Sequence, residues 1–413
     1  LKFCGAYTIR HFAFVRMDIE KFQLINSFFG MSAGDMLLKY IADLLICAVR
    51  NRSDVTFGRM DADIFCFCVS YENTKELVES FDKMRDILSR YPLDFDIVPI
   101  FGVYLIAGKK ITPDHMYDRA NLAAKHCKGN YIRNYAFYTR QMSQEIEKEQ
   151  RIVNSMKSAL ENHEFVVFYQ PVVDVRTGEC SSCEALVRWD SKALGFMGPG
   201  DFIPLAEYLG LITSIGDYVL EEACRQCRYW NEHGIPDFHI NVNLSVVQLL
   251  QKDVAETVAR ILKKTGVNPK NIVLEITESF AINDMDRVLD IIKGIKKLGP
   301  RIALDDFGTG YSSLNYIKQL PLDIIKVDKT FIDDIVEDEY AQAFIKLIVE
   351  LSDTIDTDII VEGVENEAQL NILKELGVDY IQGFYYGKPV PAYEFEKLNF
   401  RGKIDYENAD KEW

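Results

Sequence analysis

The sequence predicts an α/β protein in two parts: a parallel β/α barrel from about residue 164 onward, preceded by a smaller α+β domain. Three observations lead there. The chain has 413 residues, more than one ordinary hydrophobic core organises. Up to about residue 139, helical and strand-like runs alternate without a fixed order. After residue 164 the pattern becomes regular: seven apolar runs, each finishing in a polar side chain, are separated by helical segments.

In the first part FAFVRMDI (12–19) reads as a strand, DMLLKYIADLLICAV (35–49) as a helix, and VTFG (55–58) with IFCFCVS (64–70) as two strands joined by a short turn. FDIVPIFGVYLI (95–106) supplies another strand and MYDRANLAAKHCKG (116–129) a late helix. Residues 140–163 are charged, periodic and free of Gly and Pro, which predicts a connecting helix running into the second domain. The seven barrel strands are expected in SSCEALVRW, FHINVNLS, IVLEITES, RIALDDFG, DIIKVDK, DIIVEGVE and DYIQGFYYGKP. The expected division is 1–139, a connecting helix at 140–151, the barrel at 152–398 and an acidic tail at 399–413.

Composition narrows the function. Against 63 acidic residues stand 47 basic ones, a net charge of -16, which argues against a binder of duplex DNA or RNA that works by neutralising phosphates. No apolar run approaches the eighteen or so residues of a membrane span; YIADLLICAV (40–49) is short and contains Asp43. No signal-peptide pattern is seen, and the opening Leu1 suggests a piece of a longer chain. The nine cysteines include CSSC (180–183) and CRQC (224–227), but the pairs are far apart in sequence and read as packing residues rather than a zinc site. An odd cysteine count without a secretion signal fits a reducing cytoplasm, either for the whole protein or for the cytoplasmic part of a membrane-anchored sensor.

The chemistry starts at Asp305 and Asp306. An isolated pair of aspartates at a strand end commonly caps a turn. In a parallel barrel, however, the strand C-termini share one mouth, so Glu184, Asn243, Glu275 and Glu362 would converge on this pair with Lys326 and Gln382 beside them. Crowded carboxylates repel one another unless cations intervene. An all-oxygen ligand set suits Mg²⁺ or Mn²⁺, and two such ions roughly 3.5–4 Å apart are the usual device for in-line attack of water on a phosphodiester.

These motifs resemble those of the EAL domain, a phosphodiesterase module for cyclic di-GMP. EALVRW (184–189) is accompanied in family order by FYQP (168–171), GDFIPLAEYLGLI, NVNLS, LEITES, LDDFGTGYSSL, IIKVDKTFI, EGVE and QGFYYGKP, over roughly residues 150–398. The resemblance implies a (β/α)8 TIM-like barrel that opens cyclic di-GMP to linear 5′-pGpG with two divalent cations. Glu184, Asn243, Glu275 and Asp305 would ligate one ion, Asp305 and Asp306 the other, and Glu362 would join the ligand set and act on the attacking water. Lys326 would hold and polarise that water, with Glu184, Lys326 and Glu362 as the catalytic group. Gln170, Leu186 and Arg188 would contact the substrate, Arg188 through phosphate, and Gln382 would face the guanine side. Glu278 would anchor the DFGTGYSSL loop, which the family uses to link metal binding to a homodimer formed through this domain.

The first part resembles a GGDEF domain, the nucleotidyl-cyclase-like diguanylate cyclase module, over roughly residues 12–139. Asp18 matches a metal aspartate, and Asn26 and Asp35 match the guanine-recognising pair. The signature turn departs from the family: in RMDADIF (59–65), Asp61 and Ala62 replace two glycines and Ile64 replaces a metal-ligating glutamate. Asp61 adds negative charge where a triphosphate must approach, and Ile64 offers a cation no lone pair. Cyclase activity is therefore not expected, although Asp18, Asn26 and Asp35 leave a residual GTP site open. Lys125 is retained without its usual basic neighbour, and Arg52 and Asp54 lie too close together for the family's inhibitory RxxD site. The rival reading is a receptor that binds cyclic di-GMP through the barrel without cleaving it.

Overall fold

The computed structural model describes residues 11–50, 52–107, 111–129, 133–278, 285–308, 319–401 and 403. It divides into two units, Leu1–Gln150 and Arg151–Trp413.

In the first unit β1 (His11–Ile19) is central, flanked antiparallel by β3 (Ile64–Tyr71) and β4 (Pro99–Leu105). With β2 (Val55–Asp61) and β5 (Tyr135–Phe137) the order is β2-β3-β1-β4-β5. Helices α1 (Phe22–Phe29), α2 (Met31–Val49), α3 (Thr74–Leu88) and α4 (Pro113–Cys127) accompany the sheet. Two of them, α1 and α3, and the short β5 lie outside the elements expected from the sequence. The cap explains one start: the Asn73 side chain accepts from the Lys75 and Glu76 amides. Alternate β1 residues Ala13, Val15 and Met17 are buried with Leu37 and Ile41 of α2 and Phe81 of α3. At Gly102 α4 lies close against the sheet: an added Cβ would lie 1.9 Å from the Ala120 carbonyl.

Helix α5 (Arg140–Glu161) replaces the expected 140–163. Met142 packs with Ile100 and Ala123 of the first unit, whereas Ile152, Met156 and Ala159, at helical spacing, belong to the core of the second.

The second unit is a closed barrel of eight strands: β6 (Phe165–Asp174), β7 (Cys180–Ser191), β9 (His239–Asn243), β10 (Ile272–Thr277), β11 (Arg301–Phe307), β12 (Ile324–Val327), β13 (Asp358–Val361) and β14 (Tyr380–Gln382). Two short strands, β8 (Gly195–Met197) and β15 (Val390–Pro391), pair with β7 and β6. All seven expected strands are present and run parallel. The eighth departs from the expectation of an all-parallel barrel: β6, which carries FYQP, runs antiparallel to both β7 and β14. The reason is local. Asp174 accepts from the Arg176 and Thr177 amides at 2.9 and 2.8 Å, and Gly178 at φ 72° completes a turn too short for a crossover helix.

Two apolar layers sandwich the barrel wall. Outside, strand residues such as Ile240, Leu274, Leu304 and Ile359 pack against the helices. Inside, Val172, Val273, Ala303, Ile324 and Ile360, with Tyr380, form a plug.

Candidate active site

The plug explains the mouth, because side chains two positions apart along a strand share a face. Two residues beyond Val273, Ala303, Ile324, Ile360 and Tyr380 stand Glu275, Asp305, Lys326, Glu362 and Gln382. On the reversed strand β6 the count runs backward, from Val172 to Gln170, which lies opposite Glu184 of β7. A polar ring therefore sits on an apolar floor.

At its centre is the Lys326 ammonium, completely buried. It lies 2.6 Å from Glu362 Oε1, 2.8 Å from Glu275 Oε1, and 3.4 Å from both Glu184 Oε2 and Asp305 Oδ1. Around Glu184, Asn243 Nδ2 donates to Oε1 at 2.6 Å and Gln382 Nε2 to Oε2 at 2.7 Å. Gln382 also donates to Gln170 Oε1 at 3.1 Å, and Gln170 donates to the Gly387 carbonyl at 3.2 Å. The structure thus brings Gln170, Glu184, Asn243, Glu275, Asp305, Lys326, Glu362 and Gln382 together. Glu184, Leu186 and Arg188 alternate along one face of β7. Arg188 sits over the Phe168 ring and donates to the Val187 carbonyl. Leu186 and Asn243 border a cavity of about 320 Å³ reaching toward Ile203 and Ile215.

Asp305 and Asp306 occupy an irregularity in β11, where the register with β12 shifts between Leu304 and Phe307. Asp306 has φ 55°, a left-handed conformation unusual for a side chain other than glycine. Its amide donates to Asp305 Oδ1 at 3.0 Å. Glu278 Oε2 accepts from the Gly308 amide at 2.9 Å, tying the end of β10 to the start of the DFG turn. The remainder of the DFGTGYSSL stretch, with Gly310, lies outside the described residues.

The electrostatics show an acid-rich site with one resident cation. Burial opposes charge on Glu184, but Lys326 and the amide donors outweigh it and hold this carboxyl below its usual range. Burial dominates at Glu275, pushed well above its usual value, and at Glu362, pushed up to about 7. Burial and the Asp305 charge push Asp306 up to about 6. Burial acts against the Lys326 ammonium, yet the surrounding carboxylates raise it well above its usual value. Arg188 is lowered by burial.

The donors suit a hard divalent cation in kind, being carboxylate and amide oxygens only. Glu275 Oε2 is buried and has no hydrogen-bond partner, a lone pair available to a cation. Among the described residues, no three His, Cys, Asp or Glu side chains form a ready-made cage. The ammonium of Lys326 stands between the acids instead. The four cysteines of the CxxC pairs are free thiols, and burial raises each.

Sequence reasoning missed Asn241, which is 1% exposed and donates from Nδ2 to Glu275 Oε1 at 2.8 Å. The available signal was its spacing, two residues before Asn243 on a strand otherwise suited to the plug.

In the first unit Asp18 is buried and already neutralised: Lys128 Nζ lies 2.8 Å and Arg16 Nη1 3.1 Å from its Oδ2. Burial opposes charge on Arg16, but Asp18 wins and raises it. Asn26 is half-buried against Gly34, where an added Cβ would lie 2.0 Å from its Oδ1, and Asp35 is exposed on α2. Across the signature hairpin Ile64 pairs with Asp61, and Ala62 takes φ 40°. Arg52 and Asp54 form a two-point ion pair with each other, and Asp54 also accepts from Ser70 Oγ.

Comparison with known proteins agrees with this fold. The EAL domain family matches residues 153–389, and the family described as "Diguanylate cyclase, GGDEF domain" matches 4–130. The chain is 35% identical over 387 residues to the bifunctional diguanylate cyclase/cyclic di-GMP phosphodiesterase MucR of Pseudomonas aeruginosa, covering 93% of this chain and 56% of that protein. It is 32% identical over 389 residues to the cyclic di-GMP phosphodiesterase PdeR of Escherichia coli, covering 93% and 58%. The chain spans about half the length of the curated relatives it matches. The solved structure described as the PaMucR phosphodiesterase in complex with c-di-GMP superposes with a TM-score of 0.57 at 41% identity, over 59% of this chain and 99% of that one. Motif strands that match from end to end, around a barrel with a buried lysine among its acids, show that this chain belongs to the EAL domain family, with a GGDEF domain upstream.

Proposed function

We propose that the barrel unit is a metal-dependent phosphodiesterase that opens cyclic di-GMP to linear 5′-pGpG, and that the upstream unit regulates rather than synthesises. The observation that carries this reading is the ring of four carboxyls, Glu184, Glu275, Asp305 and Glu362, held within 3.4 Å of one ammonium above an apolar floor, with Asp306 next to Asp305. Two divalent cations, Mg²⁺ or Mn²⁺, held by those acids and Asn243, would supply Lewis-acid polarisation of a phosphoryl oxygen and a water that ionises near neutral pH.

The chain's own groups do the rest. Glu362, 2.6 Å from the Lys326 ammonium at the rim of the acids, is placed to take a proton from the attacking water at an Oε atom. Lys326, kept charged by its acids, orients Glu275 and Glu362 and can hold the attacking water. Arg188, on the outer part of the same face as Glu184, offers a guanidinium to phosphate, and Leu186 an apolar contact to the base. Gln382 has its Nε2 engaged by Glu184 and Gln170, so only its Oε1 is left for the guanine side.

Glu184→Ala should abolish formation of pGpG from cyclic di-GMP with Mn²⁺ in a variant whose circular dichroism shows it folded at the assay temperature; retention of turnover would remove Glu184 from the site. A second reading, binding of cyclic di-GMP without cleavage, draws on the lack of a ready-made cage among the described residues and on the central lysine. Binding without product in the wild type would select it. For the upstream unit, GTP with Mg²⁺ should yield neither cyclic di-GMP nor pGpG, because Asp18 is occupied by Arg16 and Lys128 and Ile64 offers no ligand atom. Accumulation of either product would overturn that half of the reading.

A further inference from the structure

Of the described positions two residues before a mouth group, Asn241 is the polar side chain that is fully buried; Ser182, its equivalent on β7, is only half-buried. On β10, β11, β12 and β13 the position two residues before the mouth group is apolar: Val273, Ala303, Ile324 and Ile360. On β9 that position, two before Asn243, is an amide, 1% exposed. Its Nδ2 donates to Glu275 Oε1 at 2.8 Å and its Oδ1 is buried with no partner. An unsatisfied buried carbonyl costs about 1–3 kcal/mol, which an apolar residue of the same shape would not incur. Stability alone therefore does not account for the amide.

The geometry at Glu275 does. Lys326 Nζ, at 2.8 Å, and Asn241 Nδ2 both bind the same oxygen, Oε1. The other oxygen, Oε2, is buried and unpartnered. Two donors on one oxygen fix the carboxylate plane and leave the second oxygen free to face a cation. We propose that Asn241 is a positioning residue that orients Glu275 for metal binding from beneath the mouth. This rests on the reading of the mouth as a divalent-metal site. Outer partners of this kind change metal affinity by about 10–100-fold when removed.

The test uses the full chain and Mn²⁺ binding measured by calorimetry, which needs no substrate. Asn241→Leu removes the donor and fills the same volume with the chemistry of the plug. The expected result is unchanged or higher thermal stability, Mn²⁺ affinity weaker by about 10–100-fold, and cyclic di-GMP turnover that recovers toward wild type as Mn²⁺ is raised. Asn241→Ser, whose hydroxyl is too short to reach Glu275, should weaken Mn²⁺ binding likewise should the leucine variant not fold. Wild-type Mn²⁺ affinity in a folded variant would overturn the assignment. So would a turnover deficit that saturating Mn²⁺ leaves in place, because that marks a structural role only. Mn²⁺ binding by the wild type without hydrolysis would defeat the phosphodiesterase reading but leave this inference standing, whereas no Mn²⁺ binding by the wild type would end both.

Discussion

Replacing Lys326 by Met keeps the side-chain length and removes the one cation from the centre of the mouth. At an effective dielectric of about 20, an ammonium attracts an ionised carboxylate by about 6 kcal/mol at the two shorter separations and about 5 at the two longer ones. Most of that gross attraction offsets the cost of taking the charges out of water. The measurable loss is the penalty for stranding buried acids without a partner, about 3–5 kcal/mol when they are ionised. Protonation lets those acids escape the penalty. Metal-free Lys326→Met should accordingly be less stable than wild type by about 3–5 kcal/mol at pH 8, with the deficit falling to about 1 kcal/mol at pH 5. Urea denaturation followed by circular dichroism in EDTA at both pH values measures this. A deficit of the same size at both pH values, or none at pH 8, would refute the charge-compensation argument.

Three further outcomes can be measured, two at the mouth and one in the first unit. Glu362 titrates at about 7 in the folded protein against an ordinary 4.5, so the folded state holds a proton that the unfolded chain has already released. Metal-free stability should therefore fall, by at most about 3 kcal/mol from this group, as pH rises from about 4.5 to 7. Saturating Mn²⁺, which binds the ionised acids, should raise the melting temperature more at pH 8 than at pH 5; an equal rise would contradict it. Gly102→Val should destabilise the first unit by more than about 2 kcal/mol, because the new side chain meets the α4 backbone at Ala120 and Ala124. Denaturant unfolding that left this unit at wild-type stability would show that α4 can move aside.

Much of the barrel and its mouth was legible because parallel strands write a plain pattern: apolar runs, a polar residue at each C-terminal end, and a helix before the next run. That pattern located Glu184, Glu275, Asp305, Lys326, Glu362 and Gln382 on one rim. It failed at β6, since a strand that turns straight back through Asp174 and Gly178 has no crossover helix to announce it. The direction of Gln382 Nε2, and the burial of Lys326 among four acids, depend on side chains from strands far apart in sequence. Asn241 was missed because a lone amide in a strand carries no charge signature. In the first unit the sequence marked Ile64 and Asp61 as departures, but pairing of Asp18 with both Arg16 and Lys128 depends on β1 meeting residues after α4, a tertiary event.

The central claim is that the acids of the mouth bind divalent cations and use them to cleave a phosphodiester. Incubating the chain with cyclic di-GMP, in Mn²⁺ and in EDTA, and resolving the nucleotides chromatographically tests it most directly. The account predicts linear 5′-pGpG in Mn²⁺ and intact substrate in EDTA. Substrate bound but uncleaved in Mn²⁺, or cleavage at an equal rate in EDTA, would contradict it.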